Sequence, residues 1–149
     1  MFFIYIKMII TILASNIKKV YVDMDGTVLD STHDHWFQSM EKKVGYDNAV
    51  ETYRKVTDVD NLKINMPLIM ALQILKAAGY ELILWTNRGE AQRPMTEANL
   101  GEYNALFSDT IYGAGKKMDH IQDAPGHIID NEEKNFEVGH ITKWLVSGF

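Results

Sequence analysis

Lys18-Lys19-Val20-Tyr21-Val22-Asp23-Met24-Asp25-Gly26-Thr27-Val28 decides how this chain is read. A short β-branched run ends in two carboxylates at i and i+2, followed by a glycine and a hydroxyl residue. Alternate strand residues share a face, so Asp23 and Asp25 can converge where the strand runs out into a loop. Gly26 lets the backbone turn sharply there at little steric cost. Two carboxylates about 5 Å apart repel by roughly 3 kcal/mol at an effective dielectric of about 20. A bound cation, or a proton kept on one carboxyl, must offset that repulsion. The plain alternative is a D-G turn without chemistry, since Asp and Gly are both turn formers. The residue order of the whole stretch and the motifs downstream favour the chemical reading.

The 149 residues suit a single domain, 1–149, with one core. A hydrophobic share of 46% and a charged share of 23% are those of an ordinary globular protein. The net charge of -5 argues against a broad nucleic-acid-binding face but leaves room for a local basic patch. The chain has no cysteine, which excludes disulfides, zinc–thiolate sites and cysteine nucleophiles. A cytoplasmic location is the expectation, and nothing in the sequence sets an oligomeric state. Phe2 to Ala14 is apolar apart from Lys7 and Thr11 but too short to span a bilayer, so no membrane partner is expected. A signal-peptide core would carry positive charge ahead of it, and none is there. The Ile and Phe content reads instead as an extra strand covering a sheet edge.

No internal repeat, low-complexity tract or long linker interrupts the chain. Residues 18–23 read as a buried strand. Residues 34–44 and 47–57 read as two short helices, with Trp36, Phe37 and Met40 on one stripe and Val50, Tyr53 and Val56 on the other. Met66 to Ala78 is the clearest helix: Pro67 fits its first turn, Leu68, Ile69, Leu72 and Leu75 supply an apolar face, and Gly79 stops it. Glu81 to Thr86 is a nearly continuous apolar strand, as expected where helices cover both faces of a parallel sheet. Residues 95–104 form a helix with Pro94 near its start, Leu106 to Tyr112 a weaker strand, and Lys117 to Gln122 a short helix. His127 to Asp130 and Ile141 to Val146 complete the strands. Alternating strands and helices predict an α/β, Rossmann-like fold with a mostly parallel sheet.

Three of these strands end in polar residues of particular types: Asp23 and Asp25, then Thr86-Asn87-Arg88, then Asp130-Asn131. Ligands in open α/β sheets bind beyond the carboxyl ends of the strands. The glycine-flanked loop Gly113-Ala114-Gly115-Lys116-Lys117 lies between the second and third ends. Carboxylates, a hydroxyl and lysines together make an oxygen-lined site suited to a hard divalent cation and a phosphate.

The set resembles the haloacid dehalogenase-like superfamily of phosphohydrolases, phosphatase branch. Val22-Asp23-Met24-Asp25-Gly26-Thr27-Val28 is similar to its D-x-D-G-T signature, Leu84-Trp85-Thr86-Asn87-Arg88 to its second motif, Lys116 or Lys117 to its motif lysine, and Ile129-Asp130-Asn131 to its terminal acidic motif. Lys117 is the better fit, because Ile121 then falls where a buried helix residue is expected. Many members carry a second acid in the last motif; here Asn131 follows Asp130, with Glu132 and Glu133 next. The resemblance implies a stepwise phosphoryl transfer with Asp23 as nucleophile and Asp25 as acid and base. It implies Mg2+ on an Asp23 carboxylate oxygen, the Asp25 backbone carbonyl and Asp130, and phosphoryl oxygens held by Thr86, the Asn87 amide and Lys117. Arg88 is a candidate phosphate clamp, since its fork matches phosphate geometry; Arg93 lies close by in sequence.

Members of the superfamily close over small substrates with a cap inserted after the first motif. Residues 31–64 leave room for a rudimentary helical cap at most, which implies an open site. The expected substrate is a phosphomonoester: a nucleotide, a polynucleotide 3′ end or a small phosphometabolite. The competing readings are a phosphotransferase or mutase using the same intermediate, and a non-catalytic phosphate-binding module.

Overall fold

Val20, Tyr21 and Val22 lie in the middle of the protein. In the computed structural model, which describes residues 2–29, 34–56, 62–113, 126–130 and 143–145, they form the central strand, β1 (Lys19–Asp23). It lies between β2 (Glu81–Trp85) and β4 (His127–Asp130), with β3 (Asp109–Ile111) outside β2 and β5 (Lys143–Leu145) outside β4. Every strand pair is parallel. The chain builds outward from β1 through β2 to β3, then returns to the other side of β1. Strand order therefore reverses between β1 and β4, and the crevice beyond that reversal is where open α/β sheets bind ligands. This is the α/β, Rossmann-like fold that the alternation of elements predicts.

Strand alternation sorts the sheet side chains into two layers. Val20, Val22, Leu82, Leu84 and Ile129 face one way, into a core with Tyr5, Met8, Ile12, Leu68, Ile69, Leu72 and Leu75 from two helices. Tyr21, Ile83, Trp85 and Ile128 face the other way and form a second cluster. With both faces buried, the strands have no polar side to display, which explains their nearly unbroken apolar runs. Gly126, ahead of β4, is pressed against β1. A Cβ there would lie 2.7 Å from the Lys19 carbonyl oxygen and 2.9 Å from the Tyr21 ring, so the approach requires glycine.

The helix over Met66–Ala77, α4, forms as its sequence predicts. Pro67 sits in the first turn, Leu68, Ile69, Leu72 and Leu75 are buried, and Asn65 caps the start by accepting from the Leu68 N–H at 3.3 Å. The helices α2 (Asp34–Val44) and α3 (Tyr46–Val56) follow β1 and pack against each other. Ala49 is buried there, while the side chains of Trp36, Phe37, Tyr53 and Val56 lie outside the described set. The fifth helix, α5 (Arg93–Leu100), ends earlier than expected because Gly101 adopts φ 55, and a 3-10 segment, Gly101–Leu106, carries the chain on. The helix expected over Lys117 to Gln122 lies outside the described residues.

The N-terminal stretch corrects the sequence reading. Phe2–Leu13 is a helix, α1, not an edge strand. Tyr5, Met8 and Ile12 fall at i, i+3 and i+7 and are buried, whereas Phe3, Ile6, Ile10 and Leu13 remain exposed. Strand propensity of the Ile residues yields to the gain from packing one helical stripe against α4. Tyr80 locks the end of the helix: its hydroxyl donates to the Ile12 carbonyl at 2.6 Å, with the Ser15 carbonyl 3.0 Å away. No described helix is long and apolar enough to cross a membrane.

His127, at the start of β4, is buried and donates from Nε2 to the Ile17 carbonyl at 3.0 Å. Burial pushes its imidazole below the ordinary value of 6.5, against the smaller opposing pull of that hydrogen bond. The unfolded chain therefore takes up a proton first as pH falls, and stability is lost through and below pH 6.5. Urea midpoints measured from neutral pH to about pH 5 should fall more steeply for the wild type than for His127→Gln. Equal slopes would remove His127 from the acid response.

Candidate functional site

Asp23 is the last residue of β1 and Asp130 the last of β4, and both are buried. The register pairs Val22 with Ile129, so one further step sets Asp23 beside Asp130, on strands about 4.8 Å apart. On its other flank Asp23 pairs with Trp85, and Thr86 follows directly. Three of the residues picked out from sequence, Asp23, Thr86 and Asp130, thus meet at neighbouring strand ends beside the reversal in strand order.

The segment after β1 folds back on itself. The Met24 carbonyl accepts from the N–H groups of Thr27 at 3.2 Å, Val28 at 2.9 Å and Leu29 at 3.0 Å. Gly26 makes the reversal with φ 81, and its N–H donates to the Leu29 carbonyl at 2.8 Å. This geometry brings the buried Thr27 hydroxyl back to donate to Asp23 Oδ2 at 2.9 Å. Thr27, the hydroxyl residue of the motif, thus orients the Asp23 carboxylate.

Asn65 ties this turn to the helices. Its backbone N–H donates to the Val28 carbonyl at 2.8 Å. Its Nδ2 donates to the Thr27 carbonyl at 3.1 Å and the Tyr5 hydroxyl at 3.0 Å, while Oδ1 caps α4. An Asn directly before a Met-Pro helix start signals a cap, but only tertiary folding could show its partners in α1 and the Asp23 turn.

Thr86 continues the sheet, donating its N–H to the Ile111 carbonyl at 3.0 Å, and its hydroxyl oxygen accepts from the Arg88 N–H at 3.1 Å. Asn87 is exposed. Arg88 departs from expectation. Its fork takes the Asp25 carboxylate, with Nε to Oδ2 at 3.1 Å and Nη2 to Oδ1 at 2.8 Å. Nη1 donates to Asn99 Oδ1 at 2.9 Å and Thr96 Oγ1 at 3.3 Å. The paired side chains are only 10% and 18% exposed, so solvent screens them weakly. Arg93 is exposed, paired with Glu90 and Glu97 and set over the Tyr112 ring. Lys116, Lys117, Asn131, Glu132 and Glu133 lie outside the described residues.

Among the described residues, no three Asp, Glu, His or Cys side chains gather at one point. The Asp25 side chain turns to Arg88, so its part in the expected cation site is limited to its backbone carbonyl, as the sequence resemblance implies. Among the described residues, the acidic donors left at the strand ends are the Asp23 and Asp130 carboxylates. An all-oxygen set of this kind fits a hard divalent cation.

Neither a family model nor a curated protein sequence matches this chain. Solved structures do share its fold. One is a chain of the Pnkp1/Rnl/Hen1 complex, with 18% identity and a TM-score of 0.57 over 87% of this chain; this chain spans 48% of its length. Another is a Thermotoga maritima protein assigned as a beta-phosphoglucomutase, with 13% identity and a TM-score of 0.57, covering 80% of this chain and 79% of that one. The shared feature is the α/β, Rossmann-like fold with a parallel sheet. At these identities the likeness reaches no further than the fold.

Asn65→Ala removes a cap and leaves a buried carbonyl and hydroxyl short of a donor, and should cost about 2–4 kcal/mol of stability in urea unfolding. A loss below about 0.5 kcal/mol would mean water replaces the amide without penalty.

Proposed function

We propose that this protein is a magnesium-dependent phosphomonoester hydrolase working through an aspartyl phosphate. The observation that carries the reading is the Asp23 carboxylate, buried at the switch point, oriented by the Thr27 hydroxyl and set beside Asp130 by the strand register. Asp23 attacks phosphorus and the bond to the leaving oxygen breaks, with Asp25 giving its proton to that oxygen. Water then attacks the same phosphorus, Asp25 takes a proton from it, and the bond to Asp23 breaks to release phosphate. Thr86, the Asn87 amide and Lys117 bind the phosphoryl oxygens. Mg2+ would be held by Asp23, the Asp25 carbonyl and Asp130, and when bound supplies positive charge against the anionic substrate.

The substrate is a nucleotide, a polynucleotide 3′ end or a small phosphometabolite. Residues 31–64, which include α2 and α3, act as a rudimentary cap, and a small cap leaves the site open to a large substrate. A second reading, phosphotransfer to an acceptor sugar, draws on the beta-phosphoglucomutase assignment of one structural neighbour. It uses the same intermediate and differs only in the final acceptor.

The protein should hydrolyse 4-nitrophenyl phosphate with magnesium. Asp23→Asn should lower turnover by at least about a thousandfold, the scale of losing a covalent nucleophile, and chelation should abolish it. Turnover that survives Asp23→Asn would sink the covalent route. Labelled phosphate reaching a sugar acceptor faster than water would favour the second reading.

A further inference from the structure

We propose that Arg88 is a positioning residue that sets the orientation of the Asp25 carboxyl for proton exchange with the reacting oxygens. The inference rests on the phosphatase reading above. Asp25 lies beyond the end of β1, immediately before the reversal at Gly26. Sheet hydrogen bonding therefore does not aim its side chain. The two-pronged pair with Arg88 holds both carboxyl oxygens and so fixes the plane of the group as well as its position.

Arg88 can do this because it is itself held on several sides. Its N–H is bound to the Thr86 hydroxyl oxygen, and its carbonyl accepts from the Gly113 N–H at 2.6 Å. Its Nη1 is held by Thr96 and Asn99, polar residues on the buried face of α5. Apolar residues would ordinarily fill such a face, and both polar side chains there turn to the guanidinium. A chain of contacts thus runs from the α5 interior through Arg88 to Asp25. A phosphate clamp needs the Nε–Nη2 edge free, and here that edge holds Asp25. Lysine, a point charge with no fork, cannot reproduce the restraint.

The test is steady-state kinetics on 4-nitrophenyl phosphate and on ethyl phosphate, with magnesium. Arg88→Lys should lower kcat by about 10- to 100-fold with KM changed less than about threefold, the loss being greater for ethyl phosphate, whose leaving group needs the proton more. In an Asp25→Asn background the same substitution should change kcat by less than about twofold, because its effect passes through Asp25. Asn99→Ala should lower kcat in the same direction by a smaller factor, and serves if Arg88→Lys does not fold. A raised KM with kcat retained would make Arg88 a phosphate ligand and overturn the proposal. So would losses that add in the double variant, or a lowered melting temperature with both constants unchanged. Wild type without turnover on any phosphomonoester overturns this inference and the phosphatase reading together. Wild-type turnover that depends on Asp23, joined to any of the other adverse results, overturns this inference alone.

Discussion

The parallel register between β1 and β4 is the constraint on which the site depends. It places Asp23 and Asp130, far apart in the chain, at adjacent strand ends inside the protein. Charged carboxylates on neighbouring strand ends repel each other, and burial adds a desolvation cost. A fold keeps such a pair only where the surroundings favour negative charge. The Thr27 hydroxyl is one such partner. The sheet therefore does more than support these residues, since its register brings the two acids together.

The surrounding structure holds each carboxylate by a different route. Asp23 is held locally, through a hydroxyl four residues on that the Gly26 reversal returns to it. Asp25 is held from a distance, by an arginine after β2 that α5 in turn restrains. The two acids of one short motif therefore depend on different halves of the molecule. Asn65 links a third element: α1, through Tyr5, shares a side chain with the turn that carries Thr27. An N-terminal helix with no residue at the strand ends is thereby coupled to the position of Asp23.

The main strands, α4 and the strand-end residues are legible because each has a local signal. Continuous apolar runs mark β1, β2 and β4, and the Pro67 start, four-residue stripe and Gly79 stop mark α4. The helix over Phe2–Leu13 is hidden in the sequence because its outward face is also apolar: Phe3, Ile6, Ile10 and Leu13 blur the period that Tyr5, Met8 and Ile12 would otherwise show. Arg88 was recognised as a site residue, but its partner was not. A guanidinium fits phosphate and carboxylate equally well, and nothing within Thr86-Asn87-Arg88 distinguishes them. Asn65, Thr96 and Asn99 gave no functional signal because their roles lie in contacts with residues from other elements.

By itself, then, the sequence determined the alternation of elements, the α/β class and the carboxylates and hydroxyls that stand at the strand ends. These follow from hydrophobic period, turn chemistry and motif order, all of which act over a few residues. Only the tertiary structure decided that Asp130 stands beside Asp23, that α1 is a helix joined to the site through Asn65, and that Arg88 grips Asp25. The reason is physical: a side chain's chemistry limits the partners it can accept, but strand register and helix packing select the one it meets.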